Sequence, residues 1–586
     1  MSMHAWWRAF RSAPQASFTR LRQLTPSGIW HGVGLGALAV AAAGAGLCFH
    51  ELTLVIEQQT LGRLAAAGPQ VFIWGSLVCV LVGSALASGL IAWLAPSAGG
   101  GGVLPVKLAF WRDFGVLHFR EAATKIVASA ITLGTGTSLG PEGPSVQIGA
   151  ATMSAAAGAA GVAKQGRRAW CAAGAAAGLA AVFNAPLAAI VFVLEEIIGD
   201  LNSRLIGSVV IAAVIGALAS HAVLGAQPAF QTLPLDGLRW GAWALVPVVA
   251  ALASASGALF QKSGLALRAG LRSGARGPTW WPLLGALITW AAGVCVYLAC
   301  GRTGIFGIGY GDMTAAIAGQ LTLGTAALLL AGKLVATAGA FGAGSCGGIF
   351  APTLFIGAMA GAAVSAAAGL AYPISGGETA MLVMAGMAAG LGAVVRMPLT
   401  CVILLFEITN QWVIVPALML AVIVSQGVSR LINRHDLYEE TLKQNGLDPH
   451  QVLPPRHFKR WREIPVSALA CFKPAATESL EPDALRRLIA EHPYQFYPVV
   501  EATGETYGVL PLREIELAIA DPSHTPKLEK PQWISAKATV GEARKRMLQG
   551  SVDFLCVGDA TDRRLLGVLT LHDLLRGESV LEDDAA

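Results

Sequence analysis

Charged residues are scarce in this 586-residue chain, where Asp, Glu, Lys and Arg make up 13% of the sequence. Soluble globular proteins have about 25%, so the chain cannot cover a soluble surface of its size with charge. A wholly soluble enzyme is therefore excluded. The deficit is uneven, because residues 455–586 hold 37 of the 77 charged side chains. The sequence predicts a long membrane region followed by a small soluble module.

Acidic residues are missing from the start of the chain. No Asp or Glu precedes Glu51, whereas four arginines, Arg8, Arg11, Arg20 and Arg22, precede the first long apolar run. This bias predicts a cytoplasmic N-terminus by the positive-inside rule. The charges are too sparse for a nucleic-acid arm, and the first apolar run lacks the cleavage pattern of a secretory signal. If the charged C-terminal module is also cytoplasmic, the number of membrane crossings is even.

Metal-binding and catalytic motifs are also missing. The nine cysteines are scattered, mostly in apolar stretches, and the one close pair, Cys295 and Cys300, has no histidine nearby. We interpret the cysteines as small core residues and expect no metal site. The absence of HExxH and GxSxG patterns argues against an intramembrane enzyme. Few acids lie in apolar segments, which argues against a transporter for a hard cation such as magnesium.

The membrane region contains an internal repeat. Residues 174–195 and 386–407 are identical at ten of 22 positions with an offset of 212, and GPSVQIGA (143–150) resembles APTLFIGA (351–358) with an offset of 208. Two related halves, about 32–225 and 238–435, therefore form this region, but the repeat does not give their relative orientation. Several apolar runs are cut by Gly and Pro or are shorter than the ~20 residues of a membrane crossing. Such broken segments are typical of transporters whose binding site lies between two repeats.

Three Gly/Pro-rich breaks each open an apolar helix, at Gly99–Pro105, Gly140–Pro144 and Gly347–Pro352. Glycine leaves the helix start uncovered, and proline is tolerated in the first turn, where its missing N–H costs nothing. Unpaired N–H groups and the helix dipole give each start a partial positive charge. If the starts converge, they predict an anion site without a fixed cation. The alternative is that each break is only a helix start within a bundle.

Ionisable residues in apolar segments are candidates for function. Glu142 lies in the second break, where its carboxylate can take the place of an anion and leave it when protonated; a simple helix cap is the alternative. Glu195 and Glu196 end an apolar run, and only Glu195 has a repeat counterpart, Glu407. Glu196 is thus the candidate for proton uptake from the cytoplasm, with a helix-end charge as the alternative. Lys125 either raises the local potential for anions or pairs with a carboxylate.

These segments resemble the CLC family of chloride channels and proton-coupled chloride exchangers. The likeness covers about residues 32–447 and rests on four segments, GPEGPSVQIG (140–149), GAAAGLAAVFNAPLA (174–188), GGIFAP (347–352) and LYEETL (437–442). It implies an all-α polytopic membrane domain of two inverted repeats with many tilted and partial helices. It also implies a homodimer with one anion pathway in each subunit.

The resemblance assigns Glu142 as the external gating glutamate and Glu196 as the internal proton glutamate. A carboxylate at the second position favours exchange over a channel. The further positions that it assigns to the anion are Gly102, Gly143, Ile349, Phe350, Ala351 and the hydroxyl of Tyr438. Spacing alone indicates only an interfacial tyrosine at position 438.

Two positions depart from the family pattern. Gly102 replaces the serine of the GSGIP segment, whose hydroxyl contacts the central anion, so the preferred anion is left open. Pro141 replaces the arginine of GREGP, which removes a positive charge near the outer site and lowers the expected affinity there.

The C-terminal module contains two similar stretches, 476–516 and 534–576, each predicted as helix, strand, strand, helix. They resemble a tandem pair of CBS domains, a small α/β module. Thr570 and Asp573 are the predicted contacts to the ribose of an adenine nucleotide, while Pro511 and Glu514 replace them in the first copy. A dimerising scaffold is the alternative.

The expected domains are a cytoplasmic segment 1–31, a transport domain 32–447, a linker 448–463, CBS domains 464–520 and 528–578, and an acidic tail 579–586. The expected function is anion/proton antiport, with a passive voltage- or pH-gated chloride channel as the alternative. We expect chloride or a similar monovalent anion, protons and the lipid bilayer as partners, and no nucleic acid. No cofactor is required for transport. The expected location is a bacterial inner membrane, with both termini cytoplasmic.

Overall fold

The computed structural model describes residues 27–447 and 464–575, with gaps at 202, 226, 228–229, 231–234, 236, 273–279, 473, 502, 504, 522, 551 and 560–561. The chain divides into two compact units, Met1–Leu453 and Pro454–Ala586. Residues 1–26 of the expected N-terminal segment, the linker 448–463 and the tail 579–586 lie outside the described residues.

The first unit is helical. Its first half contains α1 Ser27–Glu57, α2 Arg63–Ala66, α3 Pro69–Leu94, α4 Val103–Arg112, α5 Phe119–Gly134, α6 Glu142–Ala159, α7 Arg167–Phe183, α8 Pro186–Phe192 and α9 Ile206–Leu224. The second half contains α10 Trp240–Arg272, α11 Trp281–Cys300, α12 Tyr310–Ile317, α13 Leu323–Gly342, α14 Phe350–Ala368, α15 Gly376–Val395, α16 Pro398–Thr409 and α17 Val415–Ile432, and α18 Leu437–Gln444 follows. Two π-helical turns lie at Gln58–Gly62 and Val193–Ile198.

Nine helical segments within the described residues are long and apolar enough to cross a membrane. Several others, such as α4, α8 and α12, are too short to do so. This mixture of long and partial helices confirms the predicted polytopic helical fold. Partial helices are tolerated at membrane depth only where protein surrounds them or they line a cavity.

Equivalent helices of the two halves make equivalent contacts. Helix α6 packs on α7 as α14 packs on α15. Glycines permit both contacts: a Cβ added at Gly149 would lie 2.1 Å from the Gly174 carbonyl oxygen, and one at Gly357 would lie 2.1 Å from that of Gly386. Close backbone approach between helices is a common way to pack them in lipid.

An approximate two-fold axis relates the halves. Gly140 and Gly348 are 208 residues apart, which is the offset of one repeat. The Gly140 N–H donates to the Gly348 carbonyl at 2.8 Å, and the Gly348 N–H donates to the Gly140 carbonyl at 2.6 Å. The pairing is antiparallel. Equivalent residues that bond each other reciprocally must lie about a two-fold axis, so this contact supplies the orientation that the repeat alone left open.

The second unit contains two α/β copies. The first has α19 Pro482–Glu491, the antiparallel strands β1 Phe496–Val500 and β2 Thr506–Pro511, and α20 Leu512–Ala520. The second has β3 Trp533–Ile534, α21 Val540–Gly550, β4 Phe554–Gly558 and β5 Leu565–Thr570, with β3 parallel and β5 antiparallel to β4. Each copy has its own apolar core. The first copy has the predicted order of helix, strand, strand and helix. The second has the same order, with the short strand β3 added before it and a helical turn at residues 571–575 as its last helix.

We predict that Gly149→Ala destabilises the membrane unit by about 1–3 kcal/mol, because an added methyl group overpacks the contact between α6 and α7. Gly427→Ala in α17 is the matched control, since its Cβ would meet nothing within 4 Å. The control should be neutral or slightly stabilising, as Gly→Ala usually is within a helix. Thermal unfolding of both purified variants in detergent measures the difference, and equal midpoints would contradict the packing argument.

Candidate functional site

The three Gly/Pro-rich breaks meet in space. A Cβ added at Gly143 would lie 1.7 Å from the Gly101 carbonyl oxygen and 3.4 Å from the Gly348 Cα atom. A Cβ at Gly102 would lie 2.2 Å from the Gly143 carbonyl oxygen. The starts of α4, α6 and α14 therefore converge, and glycine is what allows their backbones to approach so closely.

The carboxylate of Glu142 lies at this convergence and is 1% exposed. Its Oε1 atom accepts a hydrogen bond from the Ala351 N–H at 2.7 Å, at the start of α14. Its Oε2 atom lies against glycine backbone, because a Cβ at Gly140 would be 2.2 Å from it and one at Gly348 would be 2.8 Å from it. The acid of one repeat thus occupies the helix start of the other, where an anion would be stabilised.

Prolines restrict which N–H groups are available at the two starts. Pro144 and Pro352 lie at equivalent positions and have no N–H. The backbone donors before them belong to Gly143 at the start of α6 and to Phe350 and Ala351 at the start of α14. Ile349 is the N-cap residue of α14, and all four residues are buried. Tyr438 is 7% exposed at the start of α18, in the same apolar core as Phe350.

Gly102 has a backbone that serine cannot easily adopt. Its φ is +95°, and the Gly143 carbonyl occupies the space that a Cβ would need. Replacing the family's serine by Gly102 therefore changes more than the hydroxyl group. The backbone itself has a conformation that a side chain at this position would not permit. In this chain the start of α4 presents main chain at the position where the family presents a side chain.

We predict that Gly102→Ser lowers the stability of the protein and does not install an additional anion ligand. A residue forced into a positive φ costs roughly 1–3 kcal/mol, and the clash with Gly143 adds to this. The measurements are the thermal unfolding midpoint and the ratio of chloride to nitrate flux in liposomes. A variant that is as stable as the wild type and more selective for chloride would contradict this view of the backbone.

Two buried lysines organise loops at the helix starts. The Lys125 ammonium donates to the carbonyls of Ala98 and Gly100, at 2.9 and 2.6 Å, in the loop before α4. Its repeat counterpart, Lys333, lies 208 residues further on and donates to Gly304 and Gly307, at 2.9 and 2.7 Å, before α12. In the described part of the chain no carboxylate lies within ion-pair distance of Lys125, so of the two alternatives for this residue the pair with a carboxylate is wrong. The ammonium holds backbone instead.

Glu196 lies in the π-helical turn Val193–Ile198 and is 1% exposed. Its Oε1 atom is 2.6 Å from the ammonium of Lys107 on α4, which is itself nearly buried. The equivalent segment of the second half, α16, remains α-helical, and its residue at this position is Ile408. π-Helical turns occur frequently at functional sites, and this one separates the directions of the adjacent side chains Glu195 and Glu196.

Glu195 and Glu407 cap each other's repeats. Glu195 accepts hydrogen bonds from the N–H of Thr400 at 2.9 Å and of Leu399 at 3.3 Å, at the start of α16. Glu407 accepts from Ala188 at 2.7 Å and Leu187 at 2.8 Å, at the start of α8. All of these partners are related by the offset of 212. The pair is a second contact about the two-fold axis, which supports a structural role for Glu195.

We predict that Glu195→Gln and Glu407→Gln lower the stability of the membrane unit by similar amounts, about 1–2 kcal/mol each, because each removes a charge-assisted cap. Proton coupling should persist in both variants, since these carboxylates face helix starts outside the convergence. Thermal unfolding and anion-driven proton uptake test the two statements. Strongly unequal losses of stability would contradict reciprocal capping.

Thr570 and Asp573 contact each other at the end of β5. The Thr570 hydroxyl donates to the Asp573 carboxylate at 2.7 Å, and the Asp573 N–H donates to the same hydroxyl oxygen at 3.1 Å. The equivalent acid of the first copy, Glu514, accepts from His524 and from the Lys527 N–H, both at 3.0 Å. These hydrogen bonds hold the pKa of Glu514 below its usual value. The first copy thus uses this position for internal contacts.

Comparison with known proteins identifies the family. The family model described as voltage gated chloride channel matches residues 83–430, more than half of the chain. This chain belongs to the CLC family. A second model, for the CBS domain, matches residues 528–579. Both findings confirm the resemblance that the motifs carried.

CLC relatives with curated names include exchangers and channels. The H⁺/Cl⁻ exchange transporter ClcA of Salmonella paratyphi A is 27% identical over 411 residues, which cover 68% of this chain and 85% of that protein. The voltage-gated ClC-type chloride channel ClcB of Escherichia coli O157:H7 is 28% identical over 333 residues, covering 57% of this chain and 78% of that protein.

Solved CLC structures share the fold. A slow cyanobacterial Cl⁻/H⁺ antiporter gives a TM-score of 0.63 at 22% identity, covering 72% of this chain and 98% of that one. A eukaryotic CLC transporter gives 0.56 at 20% identity, covering 92% and 97%. At these identities the likeness shows the fold alone.

Sequence reasoning missed two residues of this CLC site. Lys333 could have been found, because the offset of 208 that relates the repeats leads directly from Lys125 to it. Lys107 gave the usual signal of a charge within an apolar helix, but its partner lies 89 residues away. No spacing rule connects them, since their contact depends on how α4 packs against the π-helical turn.

Proposed function

We propose that this CLC protein exchanges a monovalent anion, chloride or a similar ion, for protons across a membrane. Membership of the CLC family and the exchange activity named for the relative ClcA support this. The observation that carries the proposal is the hydrogen bond between the Glu142 carboxylate and the Ala351 N–H. A titratable acid and a transported anion would compete for the same helix start.

Glu142 acts as the gate in this proposal. While it is charged, its carboxylate satisfies the N–H groups at the start of α14 and excludes an anion from them. Once it binds a proton, it loses the charge that holds it there, and an anion can replace it. The main-chain donors of Gly143, Ile349, Phe350 and Ala351, together with the Tyr438 hydroxyl, then solvate the anion. Without a fixed cation among these ligands, the anion is released readily.

Glu196 relays protons from the cytoplasmic side. It is buried, it belongs to the π-helical turn Val193–Ile198, and its repeat counterpart is apolar. A carboxylate with no symmetric partner suits a task that only one side of the membrane requires. The passive channel has no need of such an acid, and a reversal potential independent of the pH gradient would be its signature.

The remaining expectations belong to the same proposal. We expect a homodimer with one pathway in each subunit, in a bacterial inner membrane, with both termini in the cytoplasm. The CBS pair is expected to bind an adenine nucleotide through Thr570 and Asp573. Because those two side chains bond each other, a bound ribose would have to replace that contact, and a dimerising scaffold is the alternative role.

We predict that Glu142→Gln abolishes anion-driven proton uptake while anion flux continues. Glutamine has the size of the protonated acid and cannot carry a proton, so the gate should behave as if permanently neutral. The measurement is anion efflux from liposomes across an anion series, with proton uptake recorded in parallel. Glu51→Gln, at an exposed position of α1, is the matched control and should remain coupled. Coupled proton uptake that persists in Glu142→Gln would refute the assignment.

A further inference from the structure

Glu196 is held by a buried lysine. The Lys107 ammonium lies 2.6 Å from its Oε1 atom, and the side chains of Lys107 and Glu196 are 7% and 0% exposed. A carboxylate that relays protons must exchange between its charged and neutral forms. Here its charged form has a full opposite charge in direct contact, out of reach of bulk water.

Helix α4 fixes this pair in place. Trp111 lies one turn after Lys107, on the same face of α4, and its indole N–H donates to the Ile197 carbonyl at 2.9 Å. The next residue in the network, Arg168 of α7, donates to the Trp111 carbonyl at 3.0 Å. Both the backbone and the acid of the π-helical turn are therefore tied to α4. Glu196 cannot turn away from Lys107 without breaking their ion pair.

Several ionisable groups surround the Lys107–Glu196 pair. The ionisable groups on the elements packed around it are Arg112 of α4, Arg167, Arg168 and Cys171 of α7, and the neighbouring Glu195. Tyr438 of α18 is also close enough to interact electrostatically with Glu196. Helix α8 contributes none. The carboxylate of Glu195 is bound at the start of α16, and the Arg168 guanidinium contacts Trp111. Lys107 is the cation that the structure places in direct contact with the Glu196 carboxylate, at 2.6 Å.

Protonation of Glu196 has an electrostatic cost in this arrangement. A proton on the acid leaves the Lys107 ammonium buried and uncompensated, which is unfavourable in a medium of low dielectric constant. The charged pair is correspondingly favoured. Protonation of Glu196, the step that loads the relay, therefore needs a higher proton concentration than it would without Lys107. Helix α12, the counterpart of α4 in the second half, contains no lysine.

We propose that Lys107 is a positioning residue for proton transfer, which holds Glu196 against α4 and sets the proton concentration at which the relay is loaded. This inference rests on the proposed role of Glu196 in proton exchange. It assigns to Lys107 a control of the pH range of coupled transport, while the anion pathway at Glu142 stays as described above.

The test is the pH dependence of anion-driven proton uptake by the full-length protein in liposomes. The pH is equal on both sides, so that Glu196 meets the same proton concentration in either orientation of the protein. Lys107→Met removes the charge at similar length and should extend proton uptake by at least about one pH unit toward alkaline pH, a tenfold lower proton concentration. Lys107→Arg keeps the charge and should retain the wild-type profile. Lys262→Met, an exposed lysine of α10, is the matched control and should also match the wild type.

The outcomes separate this inference from the proposed function. Glu196→Gln should abolish proton uptake; if coupling persists, Glu196 is not the relay, and its proposed role and this inference fall together while exchange gated by Glu142 stands. If Glu196→Gln uncouples but Lys107→Met leaves the profile unchanged or moves it toward acid pH, only the inference is overturned.

A folding failure of Lys107→Met also decides the question. Restored folding in Lys107→Met/Glu196→Gln, measured by size-exclusion chromatography, would show that the loss of the Lys107 charge beside Glu196 was the cause and would support the charge compensation. Failure of the double variant as well would contradict it, because no buried charge would then be left unpaired.

Discussion

The structure depends on a constraint of the main chain: three helices must begin at one place inside the protein with their N–H groups uncovered. Side chains would prevent this, since added Cβ atoms at Gly102 and Gly143 would overlap neighbouring carbonyls. Glycine at the breaks and proline just after them satisfy both requirements. The same constraint explains why the site has so little charge of its own. In the proposed function, its attraction for an anion comes from oriented peptide groups.

A division between symmetric and asymmetric residues follows from this arrangement. Contacts that hold the halves together occur in pairs, such as the Gly140–Gly348 bridge and the caps of Glu195 and Glu407. The acids proposed for function have apolar counterparts instead: Phe350 lies opposite Glu142 in the repeat, and Ile408 opposite Glu196. The contacts that hold the fold together are thus present in both halves, whereas the acids proposed for transport are present in one half. Comparing the halves residue by residue separates the two roles.

Much of the fold could be predicted from the sequence, because the signals were local. Gly140–Pro144 and Gly347–Pro352 mark helix starts by themselves, and their spacing revealed the repeat and the likeness to a family. Contacts between distant residues were less accessible. The Lys107–Glu196 pair depends on a π-helical turn at residues 193–198, and the sequence of that segment does not predict a π-helix. The positive φ of Gly102 is another example, since a glycine in the sequence shows only that such a backbone is permitted. The carbonyl partners of Lys125 were missed because every residue has a backbone carbonyl, so residue types do not show which carbonyl accepts a hydrogen bond.

The reciprocal bridge between Gly140 and Gly348 has an evolutionary consequence. Contacts of this kind are self-complementary: the surface that one half offers is the surface that it accepts. A polypeptide of half this length could therefore have formed them with a second copy of itself inserted upside down in the bilayer. Fusion of two such copies would preserve every shared contact and would free each half to diverge. The acids found in only one half are what that freedom permits.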